Sequence, residues 1–214
     1  MGGDQVFQGA SASRLTHSRR AQWRARWAGE GQAGCVRVEY QPGLPCDNAA
    51  VVAAAGRAWS DPDNVGDRLV TACSGGPCPP GELVVASWVF DPSWKSTVLV
   101  FHQRFKCWMP PGGRIEPGED PVVAARRELR EETGLTAEPV AADPVLLDDW
   151  VGSSVDGGHV ETYGMSYAFV VPADAALRGE ADQPARWFPL ASVPDAAHPR
   201  HWSRVVDFAG SRRH

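Results

Sequence analysis

Residues 113–135 constrain the fold more than any other stretch of this chain, because they contain one helix with both of its ends written into the sequence. Asp120 stands where an N-cap belongs, and Pro121 follows at the first helical position, where its missing N–H costs nothing. Gly134 stands where a left-handed residue closes a helix. The predicted helix is therefore Pro121 to Thr133. At 100° per residue, Val122, Ala125 and Leu129 form an apolar stripe that must pack on something, and a sheet is the natural partner. Glu128, Glu131 and Glu132 cluster on the adjacent face, while Arg126 and Arg130 point away.

Three carboxylates on one face repel, at roughly 0.2–0.5 kcal/mol for each exposed pair. Two readings are open from these residues alone. One is a solvated acidic face, with Arg127 pairing i, i+4 to Glu131. The other is a site for a hard cation, since Mg²⁺ takes a few carboxylates and shares its remaining positions with water and phosphate. The lead-in favours the second. Pro111-Gly112-Gly113 lets backbone approach a metal or phosphate closely, and Glu119 sits in the loop before the helix.

The strand signals lie on both sides of this helix. Leu83 to Phe90 reads as a buried strand and Thr97 to Gln103 as its hairpin partner across Asp91-Pro92-Ser93. Trp108 to Gly113 is expected to be loop. Pro144 to Trp150, Tyr163 to Val171 and Arg186 to Leu190 read as further strands, and Trp202 to Ala209 as a closing helix. Strands flanking an internal helix imply an α/β domain with a mixed sheet. Upstream, residues 1–81 read as an N-terminal extension, partly disordered. A helix over 47–59 is expected there, with a short strand at Val36 to Tyr40 and loop over 60–81. The domain is placed at 82–195 and a tail or helix at 196–214.

Composition narrows the function classes. Hydrophobic residues make up 43% of the 214, enough for a globular core. The longest apolar run is strand-sized, so no membrane span is expected. A net charge of −5 gives no case for nucleic-acid binding and leaves a polyphosphate ligand needing local cations. Five cysteines without a CxxC are read as reduced thiols of a cytoplasmic protein. The first 30 residues hold several Arg and no apolar core of a secretory signal.

The spacing Gly113, Glu119, Arg127-Glu128-Leu129, Glu131-Glu132, Gly134-Leu135 matches every fixed position of the Nudix box. The chain thus resembles the Nudix hydrolases over about residues 82–195. The flanks Trp108 to Gly113 and Arg186-Trp187-Phe188-Pro189-Leu190 are similar too. The resemblance implies an α/β/α sandwich with a mixed β-sheet. It further implies Mg²⁺-dependent hydrolysis of a pyrophosphate bond in a nucleoside diphosphate linked to another moiety, with Mn²⁺ as a substitute metal. Residue by residue, Glu128, Glu131, Glu132 and the Gly112 carbonyl resemble the metal ligands. Glu119 resembles the outer acid, Arg127 the residue that orients the carboxylates, and Gly113 a backbone requirement. Glu128 resembles the general base of one branch. Other branches use an acid from a later loop, which makes Glu180 and Asp182 candidates for base or extra ligand, with Glu161 behind them. Arg104, Trp108 and Arg114 are candidate substrate contacts, and His102 a weaker one.

The substrate is not specified. Where ADP-ribose enzymes of the family carry a Pro, this chain has Val151, and Tyr163 lies too far along for the dinucleoside polyphosphate pattern. A nucleoside di- or triphosphate or a nucleotide sugar is expected. The partner is then a small pyrophosphate-containing molecule, with a homodimer left open. The alternative function is a non-catalytic Nudix-like module that binds a nucleotide and regulates.

Overall fold

A run of apolar residues broken by few polar ones is buried on both faces of a sheet, and Gly81–Phe90 (β1) is such a strand at the centre of this fold. The computed structural model describes residues 49–74, 81–103, 105–153, 159–180, 182–194 and 202–213. Helices α1 (Ala49–Ala55) and α2 (Val65–Ser74) precede β1. After it come β2 (Ser96–His102), β3 (Cys107–Met109), β4 (Gly112–Arg114) and helix α3 (Pro121–Thr133). Then follow β5 (Leu146–Ser153), β6 (His159–Val170), β7 (Ala185–Pro189), a 3₁₀ turn at Leu190–Ser192 and α4 (Trp202–Ser211).

The sheet runs β3-β2-β1-β6-β5, with β4 paired to β1 and β7 to β2. β1 and β6 are parallel over ten rungs, and the other pairs are antiparallel, so the sheet is mixed as expected. Alternation divides the side chains between two cores. Leu83, Val85, Val89, Met165, Tyr167 and Phe169 face α1, α2 and α3. Trp88, Phe90, Leu99 and Ala168 face Val205, Phe208 and Ala209 of α4. The result is an α/β/α sandwich.

Two expectations need correction. Residues 60–81 are not all loop, because α2 lies within them. Its start is fixed by Asp61, whose carboxylate accepts from the amides of Val65 (2.6 Å) and Gly66 (2.9 Å). Its apolar Val65 and Leu69 are fully buried. Gly66 allows the close approach of α1, since a Cβ there would lie 3.0 Å from the Ala55 carbonyl. Both helices lie upstream of residue 82, yet they share the core of the helix that carries the acids. The lead-in Trp108 to Gly113 is likewise not only loop. It supplies the last two residues of β3 and the first two of β4, short strands with no periodicity of their own that exist through pairing with β2 and β1. The segment 36–40 and the basic stretch before it lie outside the described residues.

The β1–β2 hairpin has a single organiser. The Asp91 carboxylate accepts from the amides of Ser93 (3.0 Å), Lys95 (2.8 Å) and Ser96 (2.7 Å), and from the Ser93 hydroxyl. Burial pushes this carboxyl up, but the hydrogen bonds together outweigh it and hold it below its ordinary value. Asp91→Ala should cost about 3 kcal/mol at neutral pH, since several donors to one charge lose their acceptor. The depressed pKa means that this stability is present above the unfolded value near 3.9 and is lost as pH falls through the lower folded one. Denaturant titrations at pH 7 and pH 3 should therefore show the gap between variant and wild type narrowing in acid.

Candidate active site

Helix α3 forms as its ends dictate. Asp120 is extended (φ −70°, ψ 136°) and accepts from the Val122 amide at 2.8 Å, and Gly134 is left-handed (φ 72°) with its amide donating to the Arg130 carbonyl. Ala124, Ala125 and Leu129 are fully buried against the sheet, while Val122 is only partly so. The buried Ser87 hydroxyl of β1 reaches up to the Ala125 carbonyl (3.0 Å) and pins the helix to the strand. Nothing in the sequence marked Ser87, a lone hydroxyl in an apolar strand.

The acidic face meets the glycine strand. Gly112 donates its amide to Glu132 Oε2 at 2.8 Å, so this carboxylate joins α3 to β4. Only glycine fits there: a Cβ on Gly112 would lie 2.2 Å from the Val85 carbonyl, and one on Gly113 would lie 2.4 Å from Glu128 Oε1. The second obstacle is the end of a flexible side chain, so Gly113→Ala should fold. Its Glu128 carboxylate must move, and turnover should fall about a hundredfold, the loss typical of a 1 Å misplacement. A melting temperature close to wild type would separate displacement from unfolding.

Arg127 organises the remaining acids. Its guanidinium donates to both Glu119 oxygens (3.0 Å each), to Glu128 Oε1 (2.6 Å), to Glu131 Oε2 (3.2 Å) and to the Arg114 carbonyl (2.9 Å). The i, i+4 pairing to Glu131 is thus present as one part of a larger network. Arg127 holds the Glu119 carboxyl below its ordinary value, its hydrogen bond being the largest influence. Glu128 is shifted the other way: burial pushes it up, with Glu131 and Glu119 adding to this and Arg127 opposing. Glu132 is pushed to about 7, first by burial and then by the charges of Glu128, Glu180 and Glu131 against the Gly112 amide.

This donor set fits a hard divalent cation. Glu132 is buried among three other carboxylates that each raise its pKa, a repulsion that a cation would relieve. Among the described residues no three acid, His or Cys side chains converge as metal ligands, and Arg127 is paired with both Glu128 and Glu131.

The later loop is fastened beside this face. Arg178 donates its amide to the Thr133 carbonyl (2.7 Å) at the end of α3, and Gly179 packs tightly against the backbone of Gln183 and Ala185. Glu180, held by the Gln183 side-chain amide (2.9 Å), is close enough to raise the Glu132 pKa. Asp182 offers its backbone carbonyl to the Gln103 side chain. Gln183 and Gln103, which shape this loop, carried no signal in the sequence.

The other candidates are placed as follows. Arg114 pairs with Glu82. Trp108 is half-buried, edge-on to Phe101 and Phe188, with the Arg186 guanidinium 5.5 Å from its ring. His102 stacks on Phe105 with ring centres 4.5 Å apart. Glu161 accepts from the Tyr163 hydroxyl at 2.7 Å. Arg104 lies outside the described residues.

Comparison with known proteins agrees with this geometry. The human protein 8-oxo-dGDP phosphatase NUDT18 is 31% identical over 137 residues, which are 58% of this chain and 38% of that one. Its mouse counterpart is 35% identical over 96 residues, covering 41% of this chain and 25% of the relative. The match therefore spans little more than a third of these relatives at most. The Escherichia coli dihydroneopterin triphosphate pyrophosphohydrolase superposes with a TM-score of 0.50 at 11% identity, over 61% of this chain and 98% of that one, which is likeness of fold. The family model for the NUDIX domain matches residues 81–208, more than half of the sequence and all of the acidic helix with its glycine strand, and the chain belongs to that family.

Proposed function

We propose that the chain is a pyrophosphohydrolase that cleaves a phosphoanhydride bond in a nucleoside diphosphate linked to another moiety, with Mg²⁺ as its metal and Mn²⁺ as a substitute. The observation that carries this reading is the intact acidic face of α3, with Glu128, Glu131 and Glu132 set beside the glycine strand and braced by Arg127. The named relatives are phosphatases of an oxidised purine nucleoside diphosphate, so nucleoside diphosphates head the substrate classes, ahead of triphosphates and nucleotide sugars.

Glu128, Glu131, Glu132 and the Gly112 carbonyl would hold the cation. When bound, it polarises the phosphoryl oxygens, neutralises their charge and lowers the pKa of a water. The chain's own residues do the rest. Arg127 fixes the orientation of Glu128 and Glu131 through one guanidinium, which keeps the face assembled without substrate. Glu128, raised by burial, is suited to accept a proton from the attacking water. Glu180 is the better placed of the two loop acids, since its charge reaches Glu132 whereas Asp182 turns its backbone to Gln103. Mechanistically, positioning and electrostatics supply most of the acceleration in phosphoryl transfer.

The test is a panel of nucleoside diphosphates, triphosphates, nucleotide sugars and dinucleotides, incubated with Mg²⁺ and assayed for released phosphate and mononucleotide. Turnover of at least one class, abolished by EDTA and restored by Mg²⁺ or Mn²⁺, is expected. Binding without turnover of any member would instead identify a regulatory nucleotide-binding module.

A further inference from the structure

The loop over 178–184 is tied down at both ends and across its middle. At its start the Arg178 amide donates to the carbonyl of Thr133, the residue after Glu132, at 2.7 Å. Gly134 lies against it there, since a Cβ on that glycine would be 3.0 Å from the Arg178 Cβ. At its end the Phe101 amide of β2 donates to the Pro184 carbonyl at 3.0 Å. Between these anchors the two limbs of the loop touch. A Cβ on Gly179 would lie 2.4 Å from the Gln183 carbonyl oxygen and 2.7 Å from the Ala185 nitrogen, so glycine lets them close. The turn is then sealed by the Gln183 amide, which donates to the Glu180 carbonyl at 3.0 Å. Pro184 after it favours the extended backbone on that side.

The backbone of the loop is thus fixed without the Gln183 side chain. That side chain makes a different bond, from Nε2 to Glu180 Oε2 at 2.9 Å. A carboxylate only accepts and an amide nitrogen only donates, so the sense of the bond is set by chemistry. Glu180 is exposed, whereas Gln183 is half-buried. An exposed glutamate samples several rotamers, and a half-buried amide on a fixed backbone selects one of them. An amide also suits a carboxylate that is to meet a cation, because it holds one oxygen and leaves the negative charge in place. A guanidinium would neutralise it, as Arg127 does for Glu119. The Glu180 charge in turn reaches Glu132, where it is one of the groups that push that carboxyl up.

We infer that Gln183 is a positioning residue, whose side-chain amide holds the Glu180 carboxylate beside the acidic face as a further ligand for the divalent cation. This rests on the metal site of the proposed hydrolase and adds to it the residue that sets its loop acid in place. Its closing test reads metal binding apart from turnover, so the two readings fail separately.

Mn²⁺ is the probe, and its affinity for the full chain is measured by electron paramagnetic resonance without nucleotide. Gln183→Met keeps the length of the side chain and removes the donor. It should melt within about 2 °C of wild type and bind Mn²⁺ about tenfold more weakly, the loss typical of removing a partner that orients a metal ligand. Glu180→Gln should weaken binding at least as much. The double variant should match Glu180→Gln alone to within about twofold, because the amide acts only through that carboxylate. Gln183→Glu, which sets a like charge against Glu180, should lose more than Gln183→Met. In turnover the defect of Gln183→Met should appear in the Mn²⁺ concentration needed for half-maximal rate, and excess Mn²⁺ should restore most of kcat. A wild type that binds Mn²⁺ but hydrolyses nothing would sink the hydrolytic reading and leave the binding measurements to decide this one. The inference is overturned if wild type binds no Mn²⁺, if Gln183→Met binds it within about twofold of wild type, or if Gln183→Met weakens binding as much in the Glu180→Gln background as in wild type, which would mark a merely structural role.

Discussion

Glu131→Gln should lower metal-dependent turnover by about 10²–10³-fold, the loss associated with removing one preorganised electrostatic partner of a transition state, and should leave the melting temperature within about 2 °C of wild type. The two halves of this expectation come from where the side chain sits. Glu131 is 46% exposed, and its one ion pair among the described residues is a 3.2 Å contact to Arg127. A glutamine keeps an oxygen that can accept that hydrogen bond, so little stability is lost. What it cannot keep is the charge that a divalent cation requires. Glu132 would be a poorer choice, because it is buried and holds β4 through the Gly112 amide, so its loss mixes fold with function. Steady-state turnover and thermal denaturation of one preparation decide the matter, and activity within twofold of wild type would remove Glu131 from the site.

Arg127→Ala is the second large effect, and it should reach both stability and turnover. The guanidinium neutralises Glu119 and Glu128, whose side chains are only 12% and 13% exposed, and also ties them to the Arg114 carbonyl. Removing it takes the guanidinium's charge away from two poorly solvated carboxylates, which costs about 3 kcal/mol, the low end for a broken buried pair because some water reaches these groups. In a chain of this size that corresponds to a fall of roughly 6–12 °C in Tm. Glu119 has its pKa lowered by Arg127, so its contribution is present above the unfolded value near 4.3 and disappears as pH falls through the folded one. Wild type and variant should therefore converge in acid. Arg127→Lys keeps the charge but not the fork, and should recover part of the stability and little of the turnover. Equal melting temperatures for Arg127→Ala and wild type would contradict the network.

The legibility of this molecule in its sequence was uneven, for local reasons. Helix α3 was readable to the residue because its boundaries are made by its own amino acids: Asp120, Pro121 and Gly134 act on backbone within a turn of themselves. The hairpin of β1 and β2 was readable because Asp91 organises a turn of a few residues. By contrast, β3 and β4 are three residues each and take their conformation from strands distant in sequence. Helix α2 hid behind an Asp-Pro-Asp stretch in which Asp61 is in fact its capping acid, and behind the turn-like Asn64, which adopts φ 53° just before it. For the candidate site, the face carrying Glu128, Glu131 and Glu132 follows from helical spacing. The bond from Gly112 to Glu132 and the approach of Glu180 do not, since both depend on how β4 and the 179–184 loop lie against α3. The pattern named the acids, while the upward push on Glu128 and Glu132 arises first from burial, which no spacing encodes.

The parallel pairing of β1 with β6 has a kinetic consequence. Gly81 meets Glu161 and Phe90 meets Val170, so every rung joins residues 80 positions apart. Loops of that length close late, and their contacts return little until several rungs form together. Helix α3 can begin as a local element, since its caps need nothing distant. The strand under it, however, is completed only when β6 arrives, and the glycine strand that faces its acids takes its strand pairing from β1. A chain emerging from synthesis therefore carries the whole 113–135 segment before the floor beneath it exists, and the chemistry becomes available in one late step when the two central strands register.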